Sequence, residues 1–384
     1  MERAELRAWV LATGCAEVRG EWVFLMDPAW PVAERNRARR LLAKLARAKP
    51  RPTRGWLGLP TGGTSGAVKF ARHDEETLSA AVAGFREHFG LSQVNAIGVL
   101  PAHHVSGLMA RVRCAATGGT YVDWQWKALE GDRRPVLRGG PWVISLVPTQ
   151  LQRLLQSRVA VRWLRRFAIV FLGGGPVWPE LAEAAARARL NISLSYGMTE
   201  TAAMVAAVRP REFLAGDRSS GCPLPHARVR LGRGGVVRVG GRSLFRGYAG
   251  GAARRGEFVT GDLGERDAKG GLQILGRRDA VIITGGKKVH PAQVEAALRA
   301  TGKFPDVAVI GLPDREWGEI VVACQPGGRG RATRVPALPG LSAYARPKRL
   351  VSVSPWPRNA QGKVDRARLK AAAARDSAGG RGGR

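Results

Sequence analysis

A run of glycines and hydroxyl residues early in the chain could hold a phosphate. It reads Thr61-Gly62-Gly63-Thr64-Ser65-Gly66-Ala67-Val68-Lys69. Backbone N–H groups and hydroxyls in so dense a run can surround phosphate oxygens, and Lys69 adds a positive charge. The run is not a Walker A loop, because Val68 stands where that motif has glycine and Phe70 follows the lysine. Taken alone, a flexible Gly/Ser turn explains it equally well.

Three later segments carry polar side chains that suit the other parts of a nucleotide. Ser195-Tyr196-Gly197-Met198-Thr199-Glu200 offers a ring for a base, a hydroxyl for a phosphate and a carboxylate for Mg²⁺. Asp262, beside glycine and expected on an exposed turn, could bind ribose hydroxyls together with Arg277. Lys363 lies in Pro357-Arg358-Asn359-Ala360-Gln361-Gly362-Lys363-Val364, expected to form a mobile loop. Each segment taken alone is also explained as an ordinary turn or a solvated loop.

The elements expected to position these segments alternate between strand and helix. The strand-like runs are 96–100, 167–172 and 191–195, and the segments of helical pattern are 31–49, 77–89, 149–155 and 179–190. We also expect a helix from Thr199 onward. This alternation predicts an α/β layered domain with parallel-type sheets, which binds ligands near the carboxyl ends of its strands.

The pattern changes in the last third of the chain. Short β-type runs separated by glycine-rich turns predict a small β-rich part over about 221–275. After that, a helix starting at Pro291 and flanking strand-like runs predict a small α+β unit. We therefore expect a large domain over 1–275, a small mobile domain over 276–374 and a disordered tail over 375–384.

Composition limits the class of protein. The 384 residues are 45% hydrophobic and 24% charged, as in ordinary globular proteins. No apolar run reaches the about 18 residues of a spanning helix, so no membrane span is expected. The four cysteines lie far apart, without the spacing of a disulfide framework or a metal site. These features predict a reduced, cytoplasmic protein.

The net charge of +32 has two interpretations. Lys and Arg number 62 against 30 Asp and Glu, and a field of this sign attracts nucleic acids. However, the arginines are spread over the whole chain instead of forming one block. This favours a drift in composition and predicts no specific nucleic-acid partner, although the field should still favour anionic, phosphorylated ligands.

The four motifs in this order, with Thr284-Gly285-Gly286-Lys287 before the last, resemble the adenylate-forming superfamily of acyl-CoA synthetases, adenylation domains and luciferases. The resemblance extends over roughly residues 59–369. It implies ATP and Mg²⁺ as cofactors, CoA as a co-substrate and a small-molecule carboxylic acid as substrate. It also implies that the small domain rotates about a hinge near Asp279.

The resemblance implies a role for each matched residue. Thr199 would contact the α-phosphate, Glu200 would bind Mg²⁺, and Lys363 would bridge the carboxylate and the α-phosphate. Gly285 and Gly286 would face the pantetheine channel of CoA. The remaining implied nucleotide contacts are Thr61, Gly62, Gly63, Thr64, Ser65, Gly66, Lys69, Gly174, Gly175, Pro176, Ser195, Tyr196, Gly197, Met198, Asp262 and Arg277. Gly62 and Val68 depart from the commonest form of the first loop, which affects its stiffness more than its charge.

Three segments resemble, within that superfamily, the 2-succinylbenzoate–CoA ligases of menaquinone and phylloquinone synthesis. They are Leu100-Pro101-Ala102-His103-His104-Val105-Ser106-Gly107-Leu108-Met109, Ser145-Leu146-Val147-Pro148-Thr149-Gln150-Leu151 and Ser195–Ala203. The resemblance implies that His104 lines the acid pocket, whereas a packed core histidine is the structural alternative. Two other functions stay open: a ligase for another aryl, fatty or amino acid, and a non-catalytic nucleic-acid-binding protein. The oligomeric state, including a homodimer, is open as well.

Overall fold

Four sheets follow one another along the described part of the chain. The computed structural model describes residues 1–48, 54–62, 68–327, 335–338, 340–358 and 364–379. Of the first loop, residues 63–67 lie outside this set, and so do residues 359–363, which include Lys363. Among the described helices, none is both long and apolar enough to cross a membrane.

The first sheet joins two N-terminal strands to the hairpin that carries the first motif. Its strands are β1 (Ala16–Arg19), β2 (Trp22–Leu25), β3 (Leu57–Gly62) and β4 (Val68–His73), with helices α1 (Arg3–Leu11) and α2 (Val32–Arg47). The strands β3 and β4 are antiparallel, so that Thr61 pairs with Lys69. Helix α2 confirms the helix expected in the basic stretch, because Ala38 and Leu42 are buried while its arginines face outward.

The second sheet has seven strands in the order β11-β10-β9-β8-β7-β5-β6. Its strands are β5 (Asn95–Gly98), β6 (Tyr121–Asp123), β7 (Trp142–Leu146), β8 (Ile169–Leu172), β9 (Ile192–Met198), β10 (Ala203–Ala207) and β11 (Cys222–Pro223). The helices of this part are α3 (Glu75–Phe89), α4 (Val105–Ala116), α5 (Trp126–Glu130), α6 (Pro148–Leu154), α7 (Arg158–Leu164), α8 (Pro179–Arg187) and α9 (Pro210–Leu214). Strands β5 to β9 are parallel, which confirms the expected α/β layered architecture.

Burial on both faces explains the continuous apolar run of β8. Val170 and Leu172 belong to one apolar cluster, while Ile169 and Phe171 belong to another on the opposite face. A strand covered on both faces has no polar alternation in its sequence. This central strand places the loop after Leu172 at the carboxyl edge of the sheet, where ligands bind in such folds.

Local capping sets the ends of α3. Asp74 accepts a hydrogen bond from the Thr77 backbone N–H at 3.0 Å, as a helix N-cap does, and Gly90 ends the helix with a φ of 65°. The helix therefore starts two residues before the expected 77. This start places His73, the last residue of β4, directly beside the cap.

The helix expected from Thr199 is wrong. Residues Thr199–Thr201 form one 3-10 turn, after which β10 runs back along β9 as an antiparallel strand. All five residues of β10 are buried, and its alanines have no strong preference for strand. Pairing and burial in the sheet thus outweigh the helix propensity of alanine at this place.

The last two sheets confirm the expected β-rich part and the small α+β unit. The β-rich sheet is antiparallel and contains β12 (Ala227–Leu231), β13 (Val236–Gly241), β14 (Phe258–Arg266) and β15 (Leu272–Arg277). The α+β unit contains β16 (Ile282–Thr284), β17 (Lys287–Val289), α10 (Pro291–Ala300), β18 (Ala308–Asp314), β19 (Gly318–Pro326), β20 (Arg349–Val353) and α11 (Arg366–Gly379). Two details differ from expectation: β15 continues past residue 275, and α11 is helical to Gly379, inside the segment expected to be disordered.

An apolar cluster joins the β-rich sheet to the large sheet. Tyr196 of β9 and Val205 of β10 pack with Val229, Val237 and Leu272 of the β-rich strands. Removing this apolar area from water stabilises the contact by about 25 cal/mol for each Å². The contact fixes β14 beside β9, and so positions Asp262 relative to Tyr196.

Three imidazoles are buried around helix α3. His73 is 0% exposed, His88 4% and His226 3%. Burial lowers the pKa of each of them to about 4. The folded protein therefore holds all three as neutral rings at physiological pH.

We expect the free energy of unfolding to fall as the pH is lowered from 6.5 toward 4. In this window the unfolded chain takes up protons on these histidines and the folded chain does not, so each histidine removes about 1.4 kcal/mol per pH unit. Urea unfolding followed at a series of pH values measures the slope. His226→Gln should reduce the slope by the contribution of one histidine, about 1.4 kcal/mol per pH unit. An unfolding free energy that does not change between pH 6.5 and 4.5 would contradict the assignment.

Candidate active site

The hairpin β3–β4 brings the two ends of the first motif to one place. Thr61 and Lys69 are cross-strand neighbours, and Gly62 is the last residue of β3. The Thr61 hydroxyl donates a hydrogen bond to Oε1 of Glu200 at 3.1 Å. Gly63, Thr64, Ser65 and Gly66 lie outside the described residues. The first two motifs of the sequence therefore meet, at Thr61 and Glu200.

A tight reversal after β9 carries Thr199 and Glu200. Ala202 and Ala203 both have positive φ, 52° and 78°, which is strained for residues with a Cβ. The Thr201 hydroxyl holds the reversal through hydrogen bonds with Met198 and Ala203. A Cβ on Gly197 would lie 2.1 Å from the Ala203 carbonyl oxygen, so glycine is required there for the close approach.

Two hydrogen bonds hold the backbone carbonyls of this turn. His73 Nε2 lies 2.8 Å from the Thr199 carbonyl oxygen, and the Phe245 N–H donates to the Glu200 carbonyl oxygen at 2.9 Å. A carbonyl only accepts, so the His73 ring is the Nε2–H tautomer and donates. Burial lowers the pKa of His73 to about 4, so the ring is neutral when it donates at physiological pH.

Glu200 is a buried carboxylate, and in the described part of the chain only one of its two oxygens accepts hydrogen bonds. Its side chain is 7% exposed, and its Oε1 accepts hydrogen bonds from Thr61 and from the Tyr248 hydroxyl, the latter at 2.8 Å. Within the described part of the chain, Oε2 accepts none. Mg²⁺ in nucleotide sites is held by one or two carboxylates together with substrate phosphates, so this single oxygen fits the ion. In the same part of the chain, His, Cys, Asp and Glu form no cluster that would hold a metal alone.

Tyr196 and Asp262 form a second tyrosine–carboxylate pair. The Tyr196 hydroxyl donates to Asp262 Oδ2 at 2.7 Å, and burial raises the pKa of the tyrosine, so the donor stays protonated. Asp262 lies inside strand β14, not on the exposed turn expected from the sequence. Its Oδ1 lies 3.7 Å from Nη1 of Arg277, its partner on β15. These groups can accept from and donate to vicinal hydroxyls, which suits a ribose.

Arg277 is held by neighbours on two sides. It forms two hydrogen bonds with Asp279, at 3.1 and 3.0 Å. A Cβ on Gly261 would lie 2.4 Å from the guanidinium carbon, so the glycine before Asp262 makes room for the arginine. The glycine expected to mark a turn thus has a packing function within a strand.

The family resemblance implies that Gly173–Pro176 and Tyr196 frame the adenine, and these residues lie toward the carboxyl ends of β8 and β9. Gly174, Gly175 and Pro176 are exposed in the loop that follows β8. Ser195, Gly197 and Met198 belong to β9, and a Cβ on Gly173 would lie 3.0 Å from the Ser195 hydroxyl oxygen. The structure thus brings these segments side by side, while their role toward a base stays a prediction.

His104 lies at the start of α4. It occupies the N-cap position, and its ring lies 4.5 Å from the ring of His103. His103 is the more buried of the two, with Nε2 3.5 Å from Asp27 Oδ2. A lining role of His104 in an acid pocket remains a prediction.

The α+β unit carries the remaining motif residues. Gly285 and Gly286 form the turn between β16 and β17, both with positive φ, 53° and 72°. Lys363 lies outside the described residues, but the chain on either side of its segment is held together. Arg358 and Val364 form a β-bridge, and the Asp365 N–H donates to the Pro357 carbonyl oxygen at 3.0 Å.

Two functional candidates were missed by sequence reasoning. Tyr248 reaches Glu200 because the segment around it pairs with the free edge of β4, through hydrogen bonds that Gly247 and Ala249 share with Arg72 and Phe70. His73 reaches Thr199 from the end of β4. An aromatic residue in a glycine-rich stretch was the only signal for Tyr248, and no spacing linked either residue to Glu200.

Together, a parallel sheet with a polar site at its carboxyl edge, a β-rich sheet and a separate α+β unit define a nucleotide-dependent enzyme. A family model described as AMP-binding enzyme matches residues 17–249. The chain belongs to this family, which confirms the resemblance to the adenylate-forming superfamily. The match ends before Asp262, Arg277 and the α+β unit.

Within this family, the chain is similar to several proteins named as ligases of 2-succinylbenzoate and CoA. The chain is 30% identical to the 2-succinylbenzoate–CoA ligase of Geobacillus sp. (strain WCH70), over 81% of this chain and 67% of the relative. It is 33% identical to the probable 2-succinylbenzoate–CoA ligase of Mycobacterium tuberculosis (strain H37Rv), over 82% of this chain and 83% of the relative. It also superposes on the o-succinylbenzoate CoA synthetase of Bacillus subtilis in complex with the acyl-adenylate intermediate OSB-AMP. That match has a TM-score of 0.70 and 26% identity, and covers 82% of this chain and 69% of the other.

Asp262→Asn should weaken ATP binding about tenfold, because a hydrogen bond to a charged group contributes about 1.5–3 kcal/mol and the substitution removes that charge. Calorimetric titration with ATP measures the dissociation constant. Asp306→Asn, at a carboxylate that is 54% exposed, is the matched control. Equal ATP affinities for the two variants would show that Asp262 does not bind the nucleotide.

Proposed function

We propose that this chain is an ATP- and CoA-dependent acid–thiol ligase. It activates 2-succinylbenzoate as an acyl-adenylate and then forms 2-succinylbenzoyl-CoA. The observation that carries the proposal is that Glu200 and Asp262, distant in sequence, each have one oxygen held by a tyrosine beside the end of β9. Similarity to 2-succinylbenzoate–CoA ligases over four fifths of the chain supports the choice of acid.

Adenylation joins two anions. An oxygen of the acid attacks the α-phosphorus of ATP, the bond to the bridging oxygen breaks, and pyrophosphate leaves. Because both partners are negative, catalysis depends on positioning and on cations near the developing charge. Mg²⁺ at Glu200 would supply part of that charge by neutralising phosphate oxygens.

The chain's own residues position the phosphates. His73 and Phe245 hold the backbone of the Thr199–Glu200 turn, from which the half-buried Thr199 hydroxyl would contact the α-phosphate. Lys69 extends from β4 with its ammonium 5.4 Å from the Tyr248 ring centroid, on the same side as Thr61. Lys363 would complete the set by bridging the acid and the α-phosphate.

Thioester formation needs a different arrangement. The CoA thiolate attacks the acyl carbonyl and AMP leaves with the electron pair of the broken acyl–phosphate bond. We infer that the α+β unit, residues 276–374, rotates near Asp279 between the two steps, which withdraws Lys363 and brings the Gly285–Gly286 turn to the thiol. A Cβ on Gly286 would point into open space, since no described atom other than those of its chain neighbours lies within 4 Å of that position.

The decisive experiment is CoA-thioester formation with 2-succinylbenzoate beside benzoate and medium-chain fatty acids. We expect turnover with 2-succinylbenzoate to exceed that with the others at least about tenfold in kcat/KM, the effect of about 1.4 kcal/mol of differential binding. Preference for another acid would favour the alternative ligase. A folded sample without acid-stimulated pyrophosphate release, but with tight, salt-dependent nucleic-acid binding, would favour the non-catalytic alternative.

Two variants should separate the half-reactions. Lys363→Ala removes the bridging charge, so acyl-adenylate formation should fall at least about a hundredfold, while thioester formation from supplied acyl-adenylate is largely spared. Gly286→Trp should do the reverse by filling the thiol approach. Pyrophosphate exchange and CoA transfer are measured separately for each variant. Equal loss of both steps in Lys363→Ala, or normal CoA transfer in Gly286→Trp, would contradict the division.

A further inference from the structure

Tyr248 is an unassigned residue in direct contact with the carboxylate of the phosphate site. Its hydroxyl donates to Glu200 Oε1 at 2.8 Å, and the Thr61 hydroxyl donates to the same oxygen at 3.1 Å. Both donors therefore act on one oxygen, and the second oxygen is left to other partners. The two oxygens of Glu200 are thus made unequal by the protein itself.

The position of Tyr248 is fixed by its neighbours and not by Glu200 alone. Its backbone forms a bridge with Ala71, and its ring lies 4.9 Å from the Phe245 ring. The Phe245 N–H in turn holds the Glu200 carbonyl oxygen. Residues 245–248 therefore donate hydrogen bonds to both the backbone carbonyl and the side chain of Glu200.

We infer that Tyr248 is a positioning residue for the metal site: it occupies Oε1 of Glu200 and so presents Oε2 to the divalent cation of metal–ATP. The inference rests on the proposed function, in which Glu200 binds that cation. A neutral hydroxyl donor suits this task, because it fixes the carboxylate without cancelling the negative charge that attracts the ion. A lysine or arginine in its place would pair with that charge.

The side chain also serves Lys69. Its ammonium lies 5.4 Å from the centroid of the Tyr248 ring, within the range of a cation–π interaction. One ring thus lies between the metal-binding carboxylate and the lysine of the first motif. Tyr248→Phe keeps this ring and its packing against Phe245, and removes only the hydroxyl bond to Glu200.

Tyr248→Phe is therefore the test variant, and Tyr344→Phe is the matched control at a tyrosine that is 41% exposed. Mn²⁺ binding in the presence of α,β-methylene-ATP is followed by electron paramagnetic resonance. We expect Tyr248→Phe to raise the Mn²⁺ dissociation constant at least about tenfold, as loss of a hydrogen bond to a charged group implies, and Tyr344→Phe to leave it unchanged. The Mg²⁺ concentration for half-maximal pyrophosphate exchange should rise by a similar factor, with kcat at saturating Mg²⁺ within about twofold.

A double variant distinguishes positioning from a general structural effect. If Tyr248 acts through Glu200, Tyr248→Phe should change Mn²⁺ affinity little once Glu200→Gln is present. Additive losses in the double variant would overturn the inference. So would an unchanged dissociation constant in Tyr248→Phe, or wild-type affinity in Glu200→Gln.

The binding measurement separates this inference from the proposed function. A wild-type protein without acid-stimulated exchange would overturn the ligase proposal. The expected shift in Mn²⁺ affinity in that same sample would still support the role of Tyr248. Normal ligase activity with no shift in Tyr248→Phe would overturn only the inference.

Discussion

The burial of the Glu200 carboxylate is the constraint on which the arrangement of the site depends. A charged oxygen removed from water costs several kcal/mol unless it is hydrogen-bonded. The bonds come from Thr61 on the first sheet and from Tyr248, in the segment between β13 and β14 that pairs with β4, while Glu200 lies between β9 and β10 of the large sheet. Three parts of the fold must therefore come together before this one residue is stable. The nucleotide site therefore forms only when these parts of the fold pack against one another.

Hydroxyl donors form the short side-chain hydrogen bonds to both carboxylates of the site. Tyr248 and Thr61 hold Glu200, and Tyr196 holds Asp262. Burial raises the pKa of both tyrosines, so each remains a donor at any physiological pH. A hydroxyl donor carries no charge, so these hydrogen bonds are not screened by salt as a surface ion pair would be. Both carboxylates are therefore oriented before any ligand binds.

The layered architecture and most elements of the large sheet could be predicted from apolar runs and helical periodicity, as for α3 and β8. Prediction failed where tertiary contacts decide: the alanines after Thr199 form a strand because they are buried beside β9, and Asp262 lies in a strand although its glycines suggested a turn. The motif segments of the site and their order could be recognised in the sequence, because glycine and hydroxyl residues are dense in them. Tyr248 and His73 were not, since their partners lie about fifty and more than a hundred residues away. No local pattern records a contact of that range.

Arg277 has a consequence for how the enzyme would couple its parts. The one guanidinium is bound to Asp279 through two hydrogen bonds and lies 3.7 Å from Asp262 on the neighbouring strand. A bound ribose that drew the Arg277 guanidinium toward Asp262 would weaken its two hydrogen bonds to Asp279. Conversely, a motion near Asp279 that broke these hydrogen bonds would leave the guanidinium free to bind the ribose. Under the proposed rotation near Asp279, thermodynamic reciprocity would make ribose binding and the orientation of the C-terminal unit bias each other through this shared counterion.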